Sequence, residues 1–420
     1  MAEVMPFRGL LYNREKVKEF GLVITPPYDV ISDEQKASYA KKSPYNFVNL
    51  ILPESYDNAA EMLNEMQSKE ILKQDDKECI YAYEQEYTAG GKKYQRTGFI
   101  ALLKLEEFGE GILPHEKTLD KPVDDRLRLL EAVKANLEII FLVYEDEKKL
   151  IDRKIKKGAK ELYIDFSDGN VTHKLFRISD SELIELIRKE MQKHQCVIAD
   201  GHHRYKTSLH YSKKHGYNYV MACFVNSFNE GLVILPTNRL IFGVEHFNIN
   251  NLINEMGNYF EVEKIDSLKE IKKRLEASQN SNKKNKTKEN VFGFYDNTSK
   301  KSYFLRLKDK GLADGFFEGK SEAYNSLDVS ILHKIIIERI LGLDGARQED
   351  GMNIEFVKGM EETLKKLNDK KYQLAFFLNP PLIEDVFLTA RAHETMPQKS
   401  TYFYPKIYSG LVINKISEVV

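Results

Sequence analysis

Five consecutive residues in the middle of the chain are suited to binding an anion: Asp200, Gly201, His202, His203 and Arg204. Glycine permits a sharp turn and a close backbone approach to a ligand. If a helix begins after that turn, its first N–H groups have no partner within the helix and attract an anion. Arginine can donate two parallel hydrogen bonds to a phosphate, and the histidines add donors. The run therefore predicts a turn that holds nucleotide phosphates.

The carboxylate of Asp200 is the group in this run that a bare anion would repel. Beside a phosphate it has a use if it holds Mg²⁺ or accepts a proton. The alternative is an ordinary strand–turn–helix corner, in which Asp200 caps the helix and the histidines lie on the surface. We favour the functional interpretation because four functional side chains stand between an apolar strand and a helix.

A second candidate is the loop Pro114-His115-Glu116. Adjacent His and Glu cannot share one face of a helix, and no second His follows at the spacing of a helical zinc site, which disfavours a metalloprotease. A glutamate in a proline-bent loop can act as a general base. Glu116 is therefore a candidate base and His115 a secondary candidate; an exposed loop without function is the alternative.

A third candidate is Lys399-Ser400-Thr401, within the aromatic run 396–406. One cation and two hydroxyls can bind a phosphate, but the glycines of a Walker loop are absent. The aromatic residues could stack on a base or belong to the core. Asp125, Arg126 and Arg239 are lesser candidates. Asp125 and Arg126 could open a helix and pair only locally, whereas Arg239, at the end of a strand, could supply positive charge to a site.

The elements around these residues indicate a mixed α/β fold. A short apolar strand, 196–199, and a helix, 205–214, flank the turn at 200–204. An amphipathic helix over 124–137 precedes a buried strand over 137–144. A strong helix is predicted from Asp328 to Leu343, with Gly342 and Gly345 near its end.

The chain is expected to comprise four segments. Residues 1–110 form an N-terminal α/β segment, 111–244 a core with the phosphate-binding turn, 245–320 a charged insertion, and 321–420 an α/β segment that completes the site. The polar, lysine-rich run 279–290 is predicted to be a mobile loop or the tip of a hairpin. Its lysines could touch nucleic acid, although a solvated loop is favoured.

The composition excludes several functional classes. Of 420 residues, 42% are apolar, and 63 basic residues nearly balance 64 acidic ones, so the chain has no overall field for DNA or an anionic membrane. Three dispersed cysteines lack metal or redox spacing, which fits a reducing compartment. No export pattern is evident, and the apolar runs are too short to span a bilayer. A cytoplasmic protein is expected, and its oligomeric state stays open.

The whole chain resembles a bacterial and archaeal family known as domain of unknown function 1015. The motifs that carry the resemblance are Pro26 to Ile31, Pro114 to Glu116, Asp125-Arg126, Asp200 to Arg204, Leu327 to Val329, and Met396 to Lys406. Asn238 is a departure, because the family's Pro-Thr-His-Arg turn has histidine at that position. This difference puts any required imidazole there in doubt.

Three of these motifs, in the same order, are similar to those of the archaeal ADP-dependent free serine kinase of the ParB/sulfiredoxin superfamily. The resemblance implies a ParB/sulfiredoxin-like core that carries the strand–turn–helix motif. It implies that Glu116 deprotonates a substrate hydroxyl and that residues 201–204 hold the nucleotide phosphates. Asp200 would lie beside the transferred group or Mg²⁺, with His202 as a further catalytic candidate, and residues 399–401 would complete the pocket.

Three functional hypotheses follow. The first is a phosphotransferase that uses ADP or ATP with Mg²⁺ and a small hydroxyl acceptor, such as serine. The second is a ParB-like nucleotide-binding regulator that binds DNA or a protein; the net charge of −1 and the lack of a helix-turn-helix pattern weigh against DNA. The third is a hydrolase that uses the histidine-rich turn.

Overall fold

A computed structural model describes residues 1–118, 120–158, 160–245, 248–285, 288–309, 311, 315–343 and 352–416. The chain divides into two units: Met1–Val233 together with Pro405–Val420, and Ile234–Tyr404. Each unit has its own sheet and its own hydrophobic core. The mixed α/β class predicted from the sequence is confirmed.

The strands are, in chain order, β1 (Val4–Met5), β2 (Leu10–Tyr12), β3 (Leu72–Gln74), β4 (Ile80–Ala89), β5 (Lys92–Lys104), β6 (Ile112–Leu113), β7 (Ala135–Asn136), β8 (Ile140–Tyr144), β9 (Glu161–Asp168), β10 (Val171–Ile178), β11 (Cys196–Asp200), β12 (Tyr219–Asn226), β13 (Val233–Ile234), β14 (Thr237–Phe242), β15 (Phe260–Ile265), β16 (Val291–Asp296), β17 (Lys301–Leu307), β18 (Ile354–Lys358), β19 (Tyr372–Leu378), β20 (Phe403–Tyr404) and β21 (Asn414–Lys415). The helices are α1 (Asp33–Lys42), α2 (Val48–Ile51), α3 (Tyr56–Ser68), α4 (Asp120–Val133), α5 (Leu150–Lys157), α6 (Ser181–Met191), α7 (His202–His215), α8 (Ile249–Met256), α9 (Leu268–Asn285), α10 (Glu322–Asn325), α11 (Asp328–Ile331), α12 (Met360–Lys366) and α13 (Ile383–Arg391). Short 3₁₀ turns cover Phe20–Leu22 and Tyr28–Val30, and a π-helix covers Leu332–Ile340.

The first unit is built on a nine-stranded sheet. Its order is β6-β11-β8-β12-β5-β4-β10-β9, with β1 paired to β5. The pairs β6–β11 and β8–β12 are parallel, whereas β11–β8 and β12–β5 are antiparallel. Alternate strand residues such as Ile140, Leu142 and Ile198 face one core, which helices α5, α6 and α7 share. This period-two alternation is what buries one face of a sheet.

The two ends of the chain meet within the first unit. Leu10 bridges to Ile413, and Thr25 bridges to Ser409. Strand β21 pairs with β7, which follows helix α4 directly. Residues from both ends therefore contribute to one folded body.

Helix α4 begins and ends four residues earlier than the sequence pattern predicted, spanning 120–133 instead of 124–137. Lys134 has a left-handed backbone with φ of 47°, which ends the helix. The following buried strand accordingly begins at Ile140, not at Leu137. Helix α4 packs against α7, where Lys206 pairs with Asp120 at 2.9 Å.

The second unit contains a six-stranded antiparallel sheet in the order β15-β17-β16-β19-β14-β18. Helices α9 and α12 cover one face of it through Ile271, Leu275 and Leu364. The helix predicted to run from Asp328 to Leu343 is α-helical only as far as Ile331 and continues as a π-helix to Ile340. Gly342 has a left-handed backbone as predicted for a helix end, and Gly345 lies outside the described residues.

The prediction of a mobile loop at 279–290 is wrong for its first part, because α9 continues to Asn285. The side chain of Asn282 accepts a hydrogen bond from the backbone N–H of Glu289 at 3.0 Å and donates to its carbonyl at 3.1 Å. These bonds attach the end of the helix to the returning chain. Residues 286 and 287 lie outside the described residues.

The predicted four segments differ in outline from the two units. The boundary at residue 111 falls between strands of a single sheet, since β4 and β5 precede it and β6 and β11 follow it. The second unit begins at Ile234, before the predicted boundary at 245. Within the described ranges, no helix is both long enough and apolar enough to cross a membrane.

Candidate functional site

The run at 200–204 forms a strand–turn–helix corner. Strand β11 lies between β6 and β8 and ends at Asp200, and α7 begins at His202. Gly201 stands between them as the N-cap, and it has no side chain that could accept a hydrogen bond from the first N–H groups of the helix. The predicted turn is therefore present, and the alternative in which the Asp200 side chain caps the helix does not describe it.

Gly201 is required at this corner for two reasons. Its φ of 93° lies in the left-handed region that favours glycine. A Cβ atom added there would lie 3.0 Å from Nε of Arg204 and 3.1 Å from its Cζ. The absent side chain of Gly201 thus makes room for the guanidinium of Arg204 within the protein.

Asp200 binds two cations. One carboxylate oxygen, Oδ2, accepts a hydrogen bond from Nη2 of Arg204 at 2.7 Å, and Oδ1 accepts one from Nζ of Lys406. Arg204 also donates from Nη1 to the carbonyl of Ile139 at 2.7 Å. Burial raises the pKa of Asp200, but Lys406 and Arg204 together lower it well below its ordinary value. The carboxylate is therefore ionised and holds both cations in fixed positions.

Lys406 is itself held by two buried residues. Gln85 donates from Nε2 to the carbonyl of Lys406 at 3.0 Å, and Arg96 donates to the carbonyl of Pro405. Arg96 and Gln85 are cross-strand partners on β5 and β4 and are bonded to each other. The C-terminal segment is in this way fixed against β4 and β5, while the side chain of Lys406 contacts Asp200 at the end of β11.

Two buried imidazoles lie beside the corner. His115 donates from Nδ1 to the carbonyl of Ile198 at 2.6 Å, and its backbone N–H donates to Nε2 of His202 at 3.3 Å. The two rings are 4.7 Å apart in an edge-to-face arrangement. Burial lowers the pKa of His115 to about 4 and also lowers that of His202. Both rings are therefore neutral near pH 7, and His202 is not a surface residue.

Glu116 is brought toward the same edge of the sheet by strand register. Strand β6 pairs in parallel with β11, with Leu113 opposite Val197. Asp200 follows Val197 by three positions, and Glu116 follows Leu113 by three. The hydrogen bonds of His115 keep the two segments adjacent beyond the strand pairs. Glu116 is partly exposed, whereas the imidazoles next to it are buried.

A second group of charges adjoins Arg204. Glu138 is buried, and its Oε1 accepts a hydrogen bond from the backbone N–H of Tyr28 at 3.1 Å. Arg126 lies 3.8 Å from Glu138 and 4.4 Å from the centre of the Tyr28 ring. Burial raises the pKa of Glu138, although Arg204 and Arg126 oppose the rise. The Pro-Pro-Tyr motif at 26–28 and the Asp125-Arg126 motif thus belong to the same region as Arg204.

The guanidinium of Arg126 makes hydrogen bonds that connect neighbouring helices. It donates from Nε and Nη2 to Asp125 at 2.8 and 2.6 Å and from Nη1 to the carbonyl of Ile51 at 2.7 Å. Asp125 also accepts a hydrogen bond from the hydroxyl of Tyr56 at 2.7 Å. These bonds join α4 to the helical segment before it.

The remaining sequence candidates belong to the second unit. Lys399 has a left-handed backbone, and the buried hydroxyl of Ser400 donates to the carbonyl of Pro397. Thr401 is partly buried. The part of these three residues in a phosphate site stays a prediction.

Arg239 is fully buried in the second unit. It donates from Nε to Nε2 of His333 at 3.0 Å and from Nη1 to the carbonyl of Thr237. Asn238, at the position where the family resemblance predicted histidine, donates to the carbonyl of Gly359 at 3.1 Å and to the hydroxyl of Thr363 at 2.9 Å. An amide thus supplies two structural hydrogen bonds at this position.

Sequence reasoning did not select Lys406 and Glu138 as site residues. Lys406 ends the aromatic run 396–406, so its motif was noticed but its charge was not assigned to a partner. Glu138 interrupts the apolar run 137–144 just before a buried strand. A carboxylate at such a position is a usable signal, because buried charges need partners.

The donor set does not fit Mg²⁺. Both oxygens of Asp200 accept hydrogen bonds from cationic side chains. Among the described residues, no three His, Cys, Asp or Glu side chains form a group that could hold a metal ion. The expected metal role of Asp200 has no support in this geometry.

Comparison with known proteins gives a family and several distant structures. Residues 4–330 match the model of a family described as "Protein of unknown function (DUF1015)". No curated protein matches the chain.

Three similar solved structures share little sequence with the chain. A conserved hypothetical protein from Pyrococcus furiosus is 15% identical, over 71% of this chain and 89% of that one, with a TM-score of 0.34. A free serine kinase in complex with AMP is 12% identical over 71% and 89%, with a TM-score of 0.35. SbnI with a C-terminal truncation from Staphylococcus aureus is 11% identical over 74% and 86%, with a TM-score of 0.36. At TM-scores below 0.5 these similarities carry no functional argument.

Proposed function

Since the chain belongs to the DUF1015 family, as its motifs predicted, and that family's description assigns no activity, we propose from the site itself that it is a nucleotide-dependent phosphotransferase. The nucleotide phosphates bind at the N-terminus of α7, and a small hydroxyl compound accepts the transferred phosphate. The ParB/sulfiredoxin-like character of the core is part of this proposal.

The observation that carries the proposal is a helix N-terminus capped by glycine next to two cations that share one carboxylate. With two cations and one anion, the group of Asp200, Arg204 and Lys406 has a net charge of +1. The helix adds a partial positive charge of about half a unit at its N-terminus. A phosphate at this corner would be attracted by both, and the backbone N–H groups after Gly201 are suited to hold it.

Phosphate binding changes the partners of these cations. Arg204 already donates to Asp200 and to the carbonyl of Ile139, so a phosphate uses its other N–H groups or displaces Asp200. Lys406 has a flexible stem and a point charge, which allows it to move from Asp200 to a phosphate oxygen. In this mechanism Asp200 positions the cations and does not bind a metal.

Glu116 acts as the general base. The acceptor hydroxyl gives its proton to the carboxylate of Glu116 while its oxygen forms a bond to the terminal phosphorus. The bond from that phosphorus to the bridging oxygen breaks, and AMP leaves from ADP, or ADP from ATP. Most of the rate comes from positioning and charge neutralisation. His115 and His202, being neutral and buried, shape the site and do not change charge near pH 7.

The test is the variant Glu116→Gln. Calorimetric titration with ADP and with ATP measures nucleotide affinity, and phosphate transfer to serine and other small hydroxyl compounds measures turnover. We expect turnover to fall by at least a factor of one hundred, the usual contribution of a general base, with nucleotide Kd changed less than threefold. Glu110→Gln, at an exposed position before β6, is the matched control.

Equal losses of affinity and turnover in Glu116→Gln would contradict the base role. Nucleotide binding without transfer to any acceptor would favour the ParB-like regulator instead. Residues Lys399, Ser400 and Thr401 are tested separately. The sequence predicts that they bind the nucleotide, and an unchanged nucleotide Kd in Lys399→Met would contradict that prediction.

A further inference from the structure

A polar cleft lies at the opposite end of the nine-stranded sheet from the corner at 200–204. It has a volume of about 770 Å³ and is lined in part by Arg14, Lys73, Asp75, Tyr163 and Arg177. Five strand spacings separate β10, which carries Arg177, from β11, a distance of about 24 Å at ~4.8 Å per strand. The volume lies within the range of small-molecule sites.

Two guanidinium groups flank one aromatic ring in this cleft. Arg177 lies 3.8 Å from the centre of the Tyr163 ring, and Arg14 lies 5.1 Å from it. The hydroxyl of Tyr163 donates to the carbonyl of Tyr12 at 3.0 Å, which fixes the ring. The ring thus holds Arg177 in one orientation, so that little freedom is lost when a ligand binds.

Three of the five carboxylates that line the cleft are engaged within the protein. Asp75 accepts a hydrogen bond from the hydroxyl of Tyr81 at 2.7 Å and forms an ion pair with Nη2 of Arg177. Asp180 caps helix α6 by accepting from the N–H of Leu183 at 2.9 Å. Glu161 lies 3.5 Å from Arg14 and 3.8 Å from Nη1 of Arg177. These three carboxylates are not available to a ligand without breaking existing contacts. The other two, Glu15 and Asp76, are exposed, and the exposed cations Lys73 and Lys77 in the same lining offset their charge.

Arg177 has more hydrogen-bond donors than its contacts within the protein use. Its side chain is 24% exposed, and in the part of the chain that the structure describes its Nε and Nη1 atoms make no hydrogen bond. A largely buried arginine with unmade hydrogen bonds is costly. Lys73, exposed at the rim, adds a cation for which no carboxylate lies within ion-pair distance among the described residues.

We propose that this cleft is a second ligand site, which binds a small molecule through a carboxylate or phosphate group. The oxyanion accepts hydrogen bonds from Arg177 in the planar geometry that guanidinium groups favour. Arg14 and Lys73 supply further positive charge at the entrance of the cleft. Carboxylate and phosphate ligands share this chemistry, and separate probes distinguish them.

The test measures binding of inorganic phosphate and of malonate to the full chain by calorimetry, at low salt and in a buffer without either anion. At least one probe is expected to bind, and Arg177→Gln and Arg14→Ala are each expected to raise its Kd at least tenfold. Arg14→Ala is included because its side chain is half exposed, so the variant folds even if Arg177→Gln does not. Arg306→Ala, in the second unit and equally exposed, is the matched control and should leave Kd unchanged.

Two results would overturn the proposal. One is that neither probe binds, or that both bind with the same Kd to the parent chain and to Arg14→Ala. The other is that the binding event disappears in Lys406→Met and persists in both cleft variants, which would place the anion at the α7 corner. Binding of malonate alone supports a carboxylate ligand, and binding of phosphate alone supports a phosphorylated one.

Discussion

The carboxylate of Asp200 decides the electrostatics of the corner. A buried anion costs several kcal/mol to desolvate unless cations and hydrogen bonds compensate it. Arg204 and Lys406 supply that compensation here, and each is buried in turn. Removing either partner would leave an uncompensated charge, so the three side chains function as one group. This coupling keeps two cations ready for a phosphate without exposing a free positive patch.

The buried imidazole of His115 predicts a specific pH dependence of stability. Its pKa is lowered from 6.5 to about 4 by burial. Above pH 6.5 neither state binds the proton; between pH 6.5 and 4 the unfolded chain binds one that the native state cannot. The free energy of unfolding should therefore decrease as the pH is lowered from 6.5 to 4, and this residue should account for about 3 kcal/mol of the decrease.

The measurement is urea unfolding between pH 4.5 and 7.5. The variant His115→Asn has an amide that can still donate to the carbonyl of Ile198. In this variant the slope of the unfolding free energy against pH should be smaller by ~1.4 kcal/mol per pH unit, which corresponds to one proton. His210→Asn, at an exposed position of α7, should leave the slope as it is. A parent curve with no fall below pH 6.5 would argue against a neutral buried imidazole.

The residues of the corner could be predicted from sequence only where the signal is local. Asp200 to Arg204 are consecutive, so their shared location needs no knowledge of the fold. Lys406 is 206 residues away from Asp200, and no periodicity relates the two positions. The orientation of Arg204 toward Asp200 is likewise a result of tertiary packing, which composition and spacing do not report.

At the scale of elements, the corner depends on a glycine whose two functions can be separated. Gly201 and Gly216 stand at the two ends of α7, and both have left-handed backbones. A Cβ at Gly216 would meet nothing within 4 Å, whereas one at Gly201 would meet Arg204. Substitutions at these two glycines therefore distinguish the cost of backbone strain from the cost of a steric clash with Arg204.

We expect Gly216→Ala to destabilise the protein by about 1 kcal/mol through backbone strain alone. Gly201→Ala should cost more, about 2 to 3 kcal/mol, because the guanidinium of Arg204 must also move. Urea unfolding measures both, and nucleotide titration should show weaker binding for Gly201→Ala only. Equal costs in the two variants would mean that Arg204 adapts freely.

Strands and helices could be predicted where an apolar pattern ended at a glycine, as at Gly201 between β11 and α7. The C-terminal part of α9 could not be predicted from the sequence, because its last residues are polar and lack an apolar stripe. Its end is fixed by side-chain bonds between Asn282 and Glu289, which periodicity does not reveal. The π-helix at 332–340 was read as α-helix, because both types bury similar apolar faces.

At the scale of the whole molecule, the first unit is discontinuous. Residues 405–420 belong to it, although 234–404 form the second unit. This terminal segment supplies Lys406 to Asp200 and the bridge from Ile413 to Leu10. Asn414 also donates to Asn136 at 2.8 Å. The sequence predicts a contribution from residues 399–401, which stays a prediction, whereas the contact of Lys406 with Asp200 could not be predicted from the sequence.

A chain that ends after Tyr404 should therefore be defective in its first unit. Loss of the cation beside a buried carboxylate, together with the lost bridges, is expected to lower the free energy of unfolding by more than about 3 kcal/mol. Hydrogen exchange of the β11 amides measures this locally. Lys415→Ala, which removes an exposed contact with Gln67 at 3.1 Å, should change it little. Unaltered protection of β11 in the shortened chain would refute a structural role for this segment.

The separation of Asp200 from Lys406 by 206 residues also matters during biosynthesis. A ribosome that adds ~5–20 residues per second needs about 10 to 40 seconds to synthesise the intervening chain. During that time the nascent carboxylate has Arg204 beside it but not its lysine. A premature stop codon anywhere in the second unit would consequently yield a polypeptide in which Asp200 never acquires its second cation.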